Sequence, residues 1–132
     1  MTEFQKKQQV IRLRIRSRFS AAIKNMERKN IPLKSISSFS GQVAYEVLST
    51  LGPRPEGGHL DHIVPVSYFD LRVRNEIEAC WHIENLRWLP AFNNYSRSNR
   101  LTIKEVKSFN PKQVEILAIA SLKPSKFNKY VA

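Results

Sequence analysis

Two short stretches carry the residues whose chemistry stands out. The first is His59-Leu60-Asp61-His62-Ile63-Val64-Pro65. The second runs from Asn85-Leu86 through Asn93 and Asn94 to Arg97-Ser98. Histidine has an ordinary pKa of about 6.5 and serves as a base near neutral pH. Aspartate is a hard oxygen ligand of the kind magnesium takes. Phosphodiester hydrolysis asks for both groups: a base to deprotonate water, and a cation to meet the charge that grows on the phosphorane and on the leaving oxygen. Neighbours in an extended strand point to opposite sides, so Asp61 and His62 can divide that work. An Asp-His pair taken alone reads sooner as a helix cap or a surface polar pair than as a catalytic centre. The spacing adds weight, because Asn94 follows Asn85 by nine residues and Arg97 falls about one turn further along an expected helix.

Charge narrows the partner. The chain has 132 residues and a formal net charge of +11, which favours a polyanion, nucleic acid before an acidic membrane surface. Residues 1–34 carry ten Lys/Arg against two acids, residues 35–96 four against seven, and residues 97–132 eight against two. Basic flanks thus enclose an acidic centre. A protein that only coats phosphate gains nothing from such a centre, whereas one that brings a cation to phosphate does. No apolar window approaches the length of a membrane span, and the N-terminus is charged where a secretory signal is apolar. The expected location is intracellular, in the cytoplasm, or in the host cytoplasm if the chain is phage-encoded.

The elements that must position these residues follow from periodicity and punctuation. Ile11, Ile15, Phe19, Ile23 and Met26 form one stripe and predict a helix from about Gln5 to Arg28. Arg12, Arg14, Arg16, Arg18 and Lys24 fall off the stripe, either as a solvated face or as a rail for the phosphate backbone, which the net charge favours. The run Arg12-Leu13-Arg14-Ile15-Arg16 also alternates as a strand would, but the longer stripe argues for helix. Ser40 is the expected cap of a second helix, Gly41 to Leu51, with Val43, Ala44, Val47, Leu48 and Leu51 inward, stopped by Gly52-Pro53. Residues 52–58 read as a loop. A strand is expected from His59 to Val64, a short helix near Glu76 to Trp81, a second strand from Leu86 to Leu89, and a helix from Pro90 to about Ser98. Asn110-Pro111 begins a last helix to about Leu122, and residues 123–132 read as a loose basic tail.

The segment Asp-His-Ile-Val-Pro, then Asn-Leu-x-x-Leu-x-x-x-x-Asn, then Arg-Ser, resembles the HNH endonuclease motif, also called the ββα-metal or His-Me finger. The likeness covers residues 58–100. The basic N-terminal helix and Trp81-His82 also resemble small phage-encoded and homing-type HNH nucleases, less specifically. The resemblance implies an α+β fold: a ββα-metal finger with flanking helices in one small domain spanning 1–132, with a basic N-terminal helix (1–34), the core (58–100) and a basic tail (123–132). It implies a metal-dependent endonuclease acting on DNA, double-stranded for preference, and leaving 5′-phosphate and 3′-hydroxyl ends. His62 would be the general base, and Asp61 and Asn94 the metal ligands. Asn85 would bond backbone across the ribbon and fix the loop carrying His62, and Arg97 would contact phosphate. Asn94 stands where many relatives have histidine, so magnesium or manganese suits the site better than zinc. A structural zinc is not expected, because the chain has a single cysteine, Cys80.

The remaining polar and aromatic residues carry more than one reading. His59 shares a strand face with Asp61 and is an auxiliary ligand, a substrate contact, or a structural histidine. Asn93 replaces Asn94 as ligand if the spacing slips by one. His82 reads as hydrogen-bonded within its loop and Cys80 as a small buried hydrophobe. Trp81 and Trp88 read as core, with base stacking the lesser reading. Tyr95 and Arg100 read as backbone contacts or as plain surface residues, and Glu76, Glu78 and Glu84 read as ordinary loop and helix charges. Two other functions fit the same residues: an HNH-like protein that binds nucleic acid without cutting, and, ranked last, a nuclease used as a toxin. A monomer with one centre would nick DNA, whereas a dimer would cut both strands.

Overall fold

The computed structural model describes residues 1–29, 38–89 and 100–131. Chain contacts divide into two compact units, Met1–Pro55 and Glu56–Ala132. The boundary lies inside the loop expected at 52–58, within a chain the sequence treats as one domain. The helix expected at Pro90–Ser98 lies outside the described residues. At a coarse level the fold is α+β, with helices and one two-stranded sheet.

The first unit is a helix pair. Helix α1 spans Glu3–Lys29 and α2 spans Phe39–Leu51, and they pack on each other. The apolar stripe of α1 is the buried side. Phe19, Ile23 and Met26 are in the core, Ile11 and Ile15 are half-buried, and Arg12, Arg14, Arg16, Arg18 and Lys24 are all exposed. A helix rises about 1.5 Å per residue, so α1 is about 40 Å long and α2 about 20 Å. The fully buried positions of α1 cluster in its C-terminal half. Helix α2 buries Gly41, Val43, Ala44 and Val47. Its cap is Ser38, whose Oγ accepts from the Gly41 amide at 3.0 Å, rather than Ser40, because the helix begins two residues earlier than expected. Gly52 ends α2 at φ +80°, a conformation that costs glycine little and other residues more.

The second unit is built round an antiparallel ribbon of β1 (His59–His62) and β2 (Leu86–Leu89). Between the strands lie a 3-10 turn at Val66–Tyr68, helix α3 (Arg74–Cys80) and a second 3-10 turn at Ile83–Asn85. Helices α4 (Ile103–Lys107) and α5 (Pro111–Ile119) and a 3-10 turn at Ser125–Tyr130 follow. Both α3 and the Ile83–Asn85 turn contact α5. Helix α5 starts at the expected Asn110-Pro111, with a reciprocal capping box between Asn110 and Gln113. The unanticipated α4 has the same device between Thr102 and Glu105, a pattern readable in sequence as Thr-x-x-Glu.

Three expectations fail for reasons of long-range bonding. Helix α5 ends at Ile119 rather than near Leu122, since Ser121 turns its amide and hydroxyl onto Glu76 and the Leu122 amide donates to the Tyr68 carbonyl at 2.9 Å. Glu76 lies in a helix but is not an ordinary charge there. It is buried, and its carboxylate also accepts from the Asp70 amide at 2.9 Å. The tail is not loose, because Phe127 is fully buried with its ring 6.0 Å from that of Tyr68. Beside this core, Asp70 accepts from Nε and Nη2 of Arg72, and that bonding raises the Arg72 guanidinium above its ordinary pKa.

A buried phenyl ring at residue 127 makes the tail part of the second unit's core. Phe127→Ala is expected to lower stability by about 3–5 kcal/mol, measured by urea unfolding. Tryptophan fluorescence is the right probe, because both tryptophans, Trp81 and Trp88, lie in this unit. A loose tail would leave the midpoint unchanged.

Candidate active site

The strand register places the chemistry. His59 faces Leu89, Leu60 faces Trp88, Asp61 faces Arg87 and His62 faces Leu86. Directly opposed residues share a face of the ribbon. One face therefore carries His59, Asp61, Arg87 and Leu89, and the other carries Leu60, His62, Leu86 and Trp88.

Strand β1 was expected to reach Val64 but ends at His62, because a side chain takes over from the backbone ladder. The Ile63 amide still donates to the Asn85 carbonyl at 2.8 Å. Beyond it, Asn85 Oδ1 accepts from the Val64 amide at 2.7 Å, while Nδ2 donates to the carbonyls of Val64 (3.2 Å) and Cys80 (2.9 Å). Asn85 is 1% exposed and Val64 and Cys80 are fully buried. In a dry setting each of these bonds is costly to lose. They hold the chain on the far side of His62 against the start of β2.

His62 is half-buried at the end of β1. The Trp81 ring meets its imidazole edge-on, with centroids 4.4 Å apart and planes at 89°. Trp81 is 5% exposed, so the imidazole stands against a fixed wall formed just after α3. Asp61 lies on the opposite face with its side chain 12% exposed, and its Oδ2 accepts from Arg87 Nε at 2.9 Å. His59 is exposed on the same face as Asp61. His82 bonds within its loop, its Nδ1 accepting from the Glu84 amide at 3.0 Å, and Cys80 is fully buried.

The fold thus brings Asp61, His62 and Asn85 together at one end of the ribbon. Asn93, Asn94, Tyr95 and Arg97 lie outside the described residues. Arg100 is exposed just beyond them. Among the described residues no group of three or more His, Cys, Asp and Glu side chains is placed to hold a metal ion. Magnesium asks for less, since it binds through one or two carboxylates and keeps several waters. Asp61 supplies one carboxylate, which Arg87 already engages. Two partners were missed in sequence, Arg87 and the Trp81 edge. Arg87 becomes visible only once the register is known, because it lies 26 residues from Asp61.

No protein-family model and no solved structure matches this chain. A 49-residue stretch is 35% identical to an uncharacterized protein, L426, of Acanthamoeba polyphaga mimivirus. That stretch is 37% of this chain, and the chain spans 22% of the length of that protein. No helix among the described residues is long and apolar enough to cross a membrane.

Asn85→Ala removes three bonds to buried backbone groups, and its expected cost is about 2–4 kcal/mol in urea unfolding. Hydrogen exchange at the Val64 amide should accelerate more than at amides of α4. Equal acceleration at both would mean that Asn85 does not act locally on this loop.

Proposed function

We propose that this chain is a metal-dependent endonuclease of the HNH type, acting on DNA through a ββα-metal finger formed around residues 58–100. The observation that supports it most is the bonding of the Asn85 carboxamide to both backbone groups of Val64, which secures the loop after His62 while Asp61 stands one residue before it. An Asn at the start of β2 in that role is what the motif resemblance implied.

In this reading His62 takes the proton from a water molecule. The resulting hydroxide attacks phosphorus in line, the bond from phosphorus to the 3′ oxygen breaks, and the products carry 5′-phosphate and 3′-hydroxyl ends. Trp81 restricts the imidazole so that its basic nitrogen keeps one bearing. Asp61 and Asn94 would hold magnesium or manganese, which when bound supplies Lewis-acid stabilisation of the charge on the phosphate and leaving oxygen. The exposed arginines of α1, Arg12, Arg14, Arg16 and Arg18, with Lys24 and Arg100, bind the phosphate backbone and give most of the affinity. Arg97 contacts phosphate near the scissile bond.

A second reading, a nucleic-acid-binding protein of the same fold that does not cut, draws on one observation. Arg87 already sets a positive charge against Asp61, and a binding protein needs no other cation there.

Supercoiled plasmid incubated with the protein and magnesium or manganese separates the two. Conversion to nicked or linear DNA is expected with the metal and is expected to vanish in chelator and in His62→Ala. Binding without conversion would favour the second reading, and conversion by His62→Ala would remove His62 as the base.

A further inference from the structure

Arg87 belongs to no recognised motif, yet its geometry is specific. Its Nε donates to Asp61 Oδ2 at 2.9 Å, and among the described residues this is the one polar bond its side chain makes. A guanidinium carries five N–H donors in a rigid plane. With Nε turned inward, the four on Nη1 and Nη2 remain, on a side chain 36% exposed where that of Asp61 is 12% exposed. Arg72 is spent differently, with both Nε and Nη2 on Asp70.

We propose that Arg87 is a phosphate ligand, its terminal nitrogens forming a fork that Asp61 holds in orientation. The proposal rests on the nucleic-acid reading above but not on cleavage. Paired N–H donors match the spacing of two phosphate oxygens, and a fork already held in place loses less freedom on binding than a free lysine. The ligand class is a phosphodiester lying across the ribbon face that bears His59 and Asp61. Pairing with the covered Asp61 carboxylate gives a structural reason for a cation here, but it engages Nε alone among the five N–H donors. Arg87 is thus a binding residue independent of any cation, and Asp61 a positioning residue for it.

The test uses binding rather than cleavage. A fluorescent DNA duplex is titrated by anisotropy in chelator, across a series of salt concentrations, with the full chain carrying His62→Ala as the parent. Adding Arg87→Gln is expected to weaken binding several-fold at low salt and to reduce the salt slope by about 1. Arg87→Lys is expected to keep the slope and lose affinity, because charge survives and the fork does not. The same Arg87→Gln change is then made on a parent that also carries Asp61→Asn. The loss in slope is expected to persist there. Its disappearance would mean that Arg87 only neutralises Asp61, and would overturn the proposal. An unchanged slope in Arg87→Gln would overturn it as well. A parent that binds no DNA at all would instead overturn the nucleic-acid reading on which it rests.

Discussion

The Asn85 carboxamide ties together three segments: the turn that leads into β2, the chain just past β1, and the end of α3. Two four-residue strands are too short to hold each other in water, so the ribbon needs support from outside its own ladder. Asn85 gives it by mimicking one more rung, accepting from and donating to the same residue, Val64. Its second donor bond, to Cys80, attaches that rung to α3, and the Trp81 ring that follows packs on His62. One buried amide therefore sets where β1 stops, where the imidazole sits, and how the 63–85 excursion closes. An aspartate would bring negative oxygen to two carbonyls, and a leucine would strand a buried amide donor, so the position demands a group that both gives and accepts.

The face bearing Asp61 obeys a different constraint, that of charge. Its carboxylate is mostly covered, and a covered carboxylate needs a partner. Arg87 is that partner. The Arg87 side chain is 36% exposed, so the pair lies within reach of solvent. The same pairing therefore fits a cutting site, in which the arginine yields the carboxylate, and a binding site, in which it does not.

Much of the fold is legible where information is local. Helix α1 follows from a four-three apolar rhythm, β2 from Leu86 to Leu89 is found at its exact bounds, and α5 starts at Asn110-Pro111 because a cap and a first-turn proline act within four residues. One failure is local, and the others depend on partners far along the chain. Ser38 rather than Ser40 caps α2, a shift of two residues between equivalent hydroxyls. Glu76 looks like any helix charge until Ser121, 45 residues away, delivers two donors to it. Phe127 sits in a lysine-rich stretch and is nonetheless buried beside Tyr68. In the site, the juxtaposition of Asp61, His62 and Asn85 could be read from motif spacing, whereas Arg87 needed the strand register.

The structure also revises what the acidic centre signifies. Read from sequence, the excess of acids in residues 35–96 points to cation-assisted chemistry. Five of those seven acids have structural partners: Asp61 with Arg87, Asp70 with Arg72, Glu76 with backbone amides and Ser121, Glu78 with Arg74, and Glu84 with Asn110. Asp70 and Glu76 are spent on holding the 66–80 segment and the tail in place. Regional charge is therefore a poor guide to a cation site here, since three of the seven acids are paired with arginines and two more are held by neutral donors. Asp61 is itself paired with Arg87, beside a histidine whose loop is pinned by Asn85, and the case for catalysis depends on that local geometry rather than on regional charge.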